Sequence, residues 1–417
     1  MYNNRRIIMQ TKPKLNLAAV IACLIVMFSV GLVYMWSVFQ QPVTNHYGWD
    51  ASAVSMISSA MIMMFVFGIF IGGTLQDKFG PRLVVTIGGI LFSAGLFLSS
   101  MIPASLPWLM YVTYGVLGGS GVGLAYSGSL NCVQRWLPHK RGFAAGICVC
   151  AFGLSVVVFS PVVEYMHRTL GENAVPNTFR VLGILFFVII TAASFFVKNP
   201  GKEYVDSLNL PASVLHGKQY TVLEAVKTPH FWFMCSALFF LPAAYMIIIP
   251  LVKTLAAARG VSESVASLTV QLTGVASAVA RLVLPTLSDK VGRSKTVFAM
   301  TIVTIVASLM MIFATGAVYT IAIFLIVFAY SGPAGIYPGM CGEKFGSKNM
   351  GSIFGLSFLC IGFSSLLFNY LAGVLNRDGA ATGNYTISFI VAAVVCLIPM
   401  VCMLVYDKVQ IKEAAEK

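Results

Sequence analysis

Arg281 has the clearest chemical implication in this sequence, because it interrupts an apolar or weakly polar run from Val265 to Leu287. A positive charge at the centre of a spanning helix costs roughly 2.5–3.5 kcal/mol. A guanidinium can hold a carboxylate through two parallel hydrogen bonds, which a lysine cannot do. Ser277 and Thr273 precede it by one and two helical turns on the same face. Since no acidic residue lies in a neighbouring apolar run, the pattern predicts a site for a small carboxylate; the alternative is an arginine bonded to backbone carbonyls or reaching the membrane interface.

The elements that must position Arg281 are long apolar segments. The chain is 58% hydrophobic and only 10% charged, and runs of about 20 apolar residues recur along it, each long enough to cross a bilayer. Backbone groups in lipid must bond within their own segment, so these runs are helices and not strands. The predicted fold class is an all-α membrane protein with twelve transmembrane helices, at about 15–41, 52–75, 82–102, 106–131, 140–164, 179–197, 229–256, 264–287, 295–314, 317–342, 350–375 and 384–406.

The net charge of +13 is a topological signal. If both termini are cytoplasmic, most of the 27 Lys and Arg residues fall on the inner side. The positive-inside rule then predicts a multi-pass protein of the plasma (cell inner) membrane, in contact with its lipids, with both termini in the cytoplasm. A nucleic-acid partner is excluded by this distribution. The basic residues left on the outer side are Arg168, Arg180, Lys253, Arg259 and Arg377.

Two loops repeat the same sequence. Residues 74–82 read TLQDKFGPR after the second span, and residues 286–293 read TLSDKVGR after the eighth. A glycine permits a sharp turn between helices, and a carboxylate at a helix end can bind the N-terminus of a neighbouring helix. Two copies at matching places favour a gate over a charged turn that only anchors topology. The predicted gating residues are Asp77, Lys78, Gly80, Arg82, Asp289, Lys290, Gly292 and Arg293.

The repeat divides the chain into two six-helix bundles with a central site, a design common among secondary transporters. The longest polar stretch joins the two bundles on the cytoplasmic side. The predicted domains are an N-terminal tail (1–14), an N-terminal bundle (15–197), a linker (198–228), a C-terminal bundle (229–406) and a C-terminal tail (407–417).

The sequence predicts neither a cofactor nor a metal site, and no catalytic residue. The nine cysteines lack metal-ligand spacing and are interpreted as small core residues. A membrane enzyme needs a convergent nucleophile, base or metal cluster, which the predicted spans do not offer. A sensor that binds an anion without moving it is the second alternative class, but it normally carries a soluble signalling domain.

The paired loops resemble the signature of the major facilitator superfamily. A second stretch, from Asn131 through Arg141 and Gly142 to Gly146 (NCVQRWLPHKRGFAAG), resembles the junction of the fourth and fifth spans in the oxalate/formate antiporter family, within the monocarboxylate porter branch. Residues 34–42 (YMWSVFQQP) are similar to the first span of that family, and residues 123–126 (GLAY) to its fourth. The resemblance extends from about residue 15 to 406.

This resemblance implies alternating access and transport of small organic anions. It implies that Arg281 binds the substrate carboxylate and that Tyr34, Tyr126 and Tyr330 line the cavity. One departure concerns Ser357, which stands where oxalate carriers of the family place a lysine in the eleventh span. A second concerns Ser277, which stands where animal monocarboxylate porters carry an aspartate.

One fixed positive charge favours a monoanion by charge balance. The predicted function is therefore secondary active transport of monocarboxylates of the formate, lactate or pyruvate type, with oxalate or another dicarboxylate exchange as the alternative. The predicted substrate-binding residues are Arg281, Tyr34, Tyr126, Tyr330, Ser277 and Ser357. The other partner is a co-transported proton or an exchanged anion; exchange is slightly favoured, because an empty Arg281 makes reorientation costly and a bound anion removes that cost.

Overall fold

A computed structural model of the chain describes residues 15–208, 219–252, 255–256, 259–382 and 384–415. Within these residues the structure is helical. We number twelve helical runs: α1 (17–47), α2 (Ala51–Phe79), α3 (Pro81–Ser99), α4 (108–136), α5 (Arg141–Thr169), α6 (Ala174–Ser194), α7 (229–251), α8 (Glu263–Val291), α9 (Arg293–Phe313), α10 (316–345), α11 (Met350–Thr382) and α12 (386–415). Two short helices, Lys202–Ser207 and Val222–Val226, lie in the segment between α6 and α7.

Length and apolar composition allow ten helices among the described residues to cross a membrane, or eleven if a bent pair in α1 forms one span. The pair meets at an angle of 49°, where a 3₁₀ segment, Gly31–Met35, interrupts the α-helix. The remaining run, α4, begins with Trp108–Met110, continues as a wider π-helical stretch, Tyr111–Gly118, and ends in a glycine- and serine-rich α-helical portion. The predicted all-α fold class is thus confirmed, although α1 continues several residues beyond its predicted end.

Helix boundaries follow local chemistry. The Asp50 side chain accepts a hydrogen bond from the backbone N–H of Ala53 and caps the start of α2. Gly80 follows the end of α2 and Gly292 follows the end of α8, with φ of 84° and 107° respectively. L-residues with side chains rarely adopt such angles, so glycine allows the chain to reverse directly into the next helix at both places. The repeated loops of the sequence are therefore repeated turns in the structure.

The two repeated loops lie at the same end of the helix bundle, which we call the aspartate end; the opposite end is the far end. We call α1–α6 the N-half and α7–α12 the C-half. One hydrophobic core extends from the N-half, with Phe39 and Phe179, into the aspartate-end part of the C-half, with Tyr337 and Phe354. The far part of the C-half, around Tyr319, has a separate core. The halves therefore share a core toward the aspartate end.

Candidate functional site

A cavity of about 400 Å³ lies between the two halves, a volume typical of small-molecule sites. Four helices of the C-half and one of the N-half, α2, form its wall. Among the described residues that line this cavity, Arg281 is the one that carries a charge. The others are Ile62, Phe65, Val66, Pro242, Tyr245, Met246, Ile249, Tyr330, Ser331, Pro333, Ala334, Phe358, Ile361, Gly362, Ser365 and Asn369.

Arg281 extends from α8 along the surface of α5. A methyl group placed on Gly146 would lie 2.9 Å from the carbonyl oxygen of Arg281, and one on Gly153 would lie 2.6 Å from its Nη1 atom. Both distances are shorter than ordinary van der Waals contact, so a side chain at Gly146 would clash with the α8 backbone and one at Gly153 would displace the guanidinium. The half-buried guanidinium therefore reaches the cavity against a wall provided by the other half of the molecule.

Two of the other predicted site residues lie beside Arg281. The Tyr330 ring stacks on that of Tyr245, with centroids 3.8 Å apart and planes inclined by 12°, and both line the cavity. Ser277 accepts a hydrogen bond of 2.9 Å from the hydroxyl of Ser331, which is itself a lining residue. The site thus combines one guanidinium, an aromatic pair and serine hydroxyls.

Two predicted residues are placed differently. Tyr126 is buried behind the lining residue Phe65, and their rings meet edge to face at 5.5 Å. Ser357 is fully buried, and its hydroxyl donates to the carbonyl of Phe354 at 2.8 Å. It is not among the residues of α11 that line the cavity with Arg281. The side chain of Tyr34 lies outside the described residues.

Sequence reasoning missed several lining residues. Tyr245 gave no signal because α7 is apolar on all sides, and a buried tyrosine there is typical of packing. On α11 the cavity-facing residues recur at helical spacing, and they include Ser365 and Asn369. The Asn369 Nδ2 atom donates to Ser365 Oγ at 3.2 Å. Which face of α11 turns toward the cavity depends on how the two halves pack.

At the aspartate end the two repeated carboxylates make equivalent contacts across the halves. Asp77, at the end of α2, accepts hydrogen bonds of 2.9 Å from the backbone N–H and the hydroxyl of Ser352, at the start of α11. Asp289, at the end of α8, accepts bonds of 2.9 and 3.0 Å from the backbone N–H groups of Gly142 and Phe143, at the start of α5. Each carboxylate therefore binds the N-terminus of a helix in the opposite half.

The basic residues of the two loops behave differently. Arg293 pairs with Asp289 at 2.7 Å and also with Glu343, whereas Asp77 pairs with Arg135 of α4 at 2.9 Å. Arg82 instead donates to the backbone carbonyls of Ser194 and Phe195 at the end of α6. The side chains of Lys78 and Lys290 are exposed. The carboxylates are thus equivalent in the two halves, and their arginine partners are not.

Glycines bring the helices of opposite halves into backbone contact near these carboxylates. A methyl group on Gly73 would lie 2.0 Å from the carbonyl oxygen of Gly351, and one on Gly142 would lie 2.0 Å from that of Pro285. These seams join α2 to α11 and α5 to α8. The cavity-lining residues of α2 and α11 lie beyond the first seam, toward the far end. The structure is therefore closed at the aspartate end.

Among the described residues, no group of three or more His, Cys, Asp or Glu side chains could hold a metal ion. The chemistry that the lining residues offer is recognition of an anion. Arg281 supplies charge, the tyrosines and serines supply hydroxyls, and the remaining wall is apolar.

Known proteins resemble this chain in sequence and in fold. The chain is 26% identical over 383 residues to the oxalate:formate antiporter of Oxalobacter formigenes, covering 91% of this chain and 88% of that protein. It is 35% identical over 139 residues to monocarboxylate transporter 13 of Bos taurus, covering 33% and 30% of the two chains. The crystal structure of the E. coli fucose:proton symporter superposes with a TM-score of 0.69 at 14% identity, covering 94% of this chain and 99% of that one.

The family profile described as Major Facilitator Superfamily matches residues 19–369 and 234–416. Together these matches extend over nearly the whole chain, including both repeated loops and the cavity between the halves. The chain therefore belongs to the major facilitator superfamily, a family of multi-pass membrane transporters and not of enzymes.

Proposed function

We propose that this chain moves small monocarboxylates by alternating access and that Arg281 binds the carboxylate. One observation carries this proposal. Among the described residues that line the cavity between the halves, Arg281 is the one that carries a charge. An anion that enters the cavity can receive two hydrogen bonds from the guanidinium. The stacked rings of Tyr245 and Tyr330 limit the water that competes for those bonds, which strengthens the interaction.

Charge balance supports a monoanion over a dianion. A single guanidinium neutralises one carboxylate, and the other hydrogen-bonding groups on the wall, such as Ser365 and Asn369, are neutral. Formate, lactate and pyruvate satisfy this balance. Oxalate exchange is the second candidate, because the oxalate:formate antiporter matches over 91% of this chain. Oxalate would place its second carboxylate against hydroxyl and amide groups only.

We further propose that transport is an exchange of anions. The cavity-lining residues of the described chain include no Asp, Glu or His that would accept a proton beside Arg281. A bound carboxylate neutralises the charge of the guanidinium, and a neutralised pair loses less solvation than a charge does when the cavity closes. We therefore expect the loaded carrier to reorient more readily than the empty one. Proton symport would require the substrate itself to carry the proton.

The gate in this proposal is the aspartate end. Opening that end breaks the bonds from Asp77 to the start of α11 and from Asp289 to the start of α5. The positive-inside distribution of Lys and Arg supports a cytoplasmic aspartate end and cytoplasmic termini in the plasma membrane. In this proposal the bundles at 15–197 and 229–406 move against each other, and the segment at 198–228 connects them.

The test is uptake by proteoliposomes of labelled formate, lactate, pyruvate and oxalate. Each acid is offered with and without internal acid, and with and without a pH gradient. We expect a monocarboxylate to be taken up fastest, with internal acid raising the rate and the pH gradient having little effect. Uptake that needs a pH gradient and is indifferent to internal acid would contradict exchange. A preference for oxalate over every monocarboxylate would contradict the charge argument.

A further inference from the structure

The α5 helix carries a groove that holds the side chain of Arg281. The carbonyl oxygen of Arg281 lies at the level of Gly146, and its Nη1 atom lies at the level of Gly153. These glycines are seven residues apart, which is about 10 Å along a helix. From its carbonyl oxygen to its guanidinium, Arg281 therefore spans about two turns of α5, and the side chain points toward the far end and into the cavity.

The groove and the arginine belong to different halves. Besides Nη1, the Cζ and Cδ atoms of Arg281 lie 3.6 and 3.9 Å from a methyl group placed on Gly153, so both the stem and the head of the side chain rest on the N-half. We propose that Gly153 is a positioning residue for Arg281, and that this contact makes the carboxylate affinity depend on which end of the carrier is open. The inference rests on the proposed function, in which Arg281 binds the carboxylate.

The dependence follows from the seam between α5 and α8. In the present state Asp289 holds the start of α5, and Gly142 is in backbone contact with Pro285, so Gly153 stays against the guanidinium. When the aspartate end opens, α5 must separate from α8 and this wall is lost. Without the Gly153 contact the arginine side chain can adopt more rotamers, and binding an anion must then restrict them. The site is therefore pre-organised when open to the far end and weaker when open to the aspartate end.

The consequence is a carrier that captures an acid at the far end and releases it at the aspartate end. We expect the KM of the wild-type protein to be about tenfold lower for substrate at the far end, the ratio that corresponds to ordering about one long side chain. The measurement uses proteoliposomes in which a membrane-impermeant reagent has inactivated the transporters of one orientation, so that the remaining ones all face the same way. The substrate is the fastest acid among formate, lactate and pyruvate.

Gly153→Ala tests the contact directly, because its methyl group displaces the guanidinium. We expect KM at the far end to rise about tenfold, with kcat within twofold of wild type and KM at the aspartate end unchanged. Gly274→Ala is the matched control on α8, since a methyl group there meets nothing within 4 Å. A merely structural defect would lower kcat or the yield of folded protein and would raise KM at both ends.

A double-mutant cycle separates positioning from packing. Lysine has no Nη1 atom, so Gly153→Ala should have no further effect on far-end substrate binding when combined with Arg281→Lys. Additive effects of the two changes would overturn the inference. Equal wild-type KM values at the two ends would overturn it as well, and that measurement does not depend on a folded variant. If Arg281→Ala transports normally, the proposed function fails instead.

Discussion

The aspartate end and the cavity use the two halves in different ways. At the aspartate end both halves contribute the same device, a carboxylate after one helix that binds the start of a helix in the other half. In the cavity the N-half contributes three apolar residues of α2, and the C-half contributes the guanidinium, the tyrosine pair and the other polar groups.

This difference separates two tasks. A gate between two similar bundles that separate and rejoin benefits from equivalent contacts contributed by each half. A carboxylate is not symmetric, and its recognition needs one charged anchor in a shaped apolar cavity. In the proposed mechanism the repeat is therefore kept where the bundles would move against each other, and it is lost at the proposed ligand site.

The largest expected effect lies in the cavity. Arg281→Ala should lower monocarboxylate uptake roughly 100-fold or more, because a desolvated charge pair loses one partner. Arg180→Ala removes an exposed arginine of α6 and should leave uptake within twofold of wild type. The measurement is the initial rate of uptake per folded transporter. Comparable uptake rates for the two variants would contradict a special role of Arg281 in the cavity.

The next effect tests the symmetry of the aspartate end. Asp77→Asn and Asp289→Asn should each lower kcat about tenfold, since each weakens charge-assisted bonds to a helix N-terminus. KM should stay within threefold of wild type because neither residue lines the cavity. Kinetics of both variants in proteoliposomes check this. If only one of the two substitutions slows transport, the carboxylates are not equivalent as gates.

A smaller effect separates the two serines of α11. Ser365→Lys should raise the ratio of oxalate to lactate uptake about tenfold, because it places a second cation in the cavity. Ser357→Lys should instead lower the yield of folded protein, since this position is fully buried and is not among those that line the cavity. Uptake ratios and detergent monodispersity distinguish the cases. A dicarboxylate preference in Ser357→Lys would return Ser357 to the site.

The smallest effect concerns the tyrosines. Tyr330→Phe keeps the ring that stacks on Tyr245 but removes one hydroxyl from the cavity, and KM should rise about threefold. Tyr126→Phe changes a buried residue behind Phe65 and should leave KM unchanged. Concentration dependence of uptake gives both values. The reverse order of effects would place Tyr126, and not Tyr330, beside the substrate.

Much of the fold could be predicted from the sequence because apolar length and repeated loops are local signals. The run around Arg281 and the turns at Gly80 and Gly292 are of this kind. The site was only partly predictable, because the face that a helix turns toward the cavity depends on its packing with the other half. Ser357 and Ser365 are both serines in one apolar helix, and only the structure tells them apart. The ion pair of Arg135 with Asp77 joins two separate helices, so no spacing of residues within one helix could predict it.

The central claim is that the guanidinium of Arg281 binds the carboxylate of the substrate. Equilibrium binding of the fastest labelled monocarboxylate to purified, folded wild-type and Arg281→Ala protein measures this without the later steps of transport. The account predicts saturable binding to the wild type and a loss of affinity of roughly 100-fold or more in the variant. Equal dissociation constants for the two proteins would contradict it.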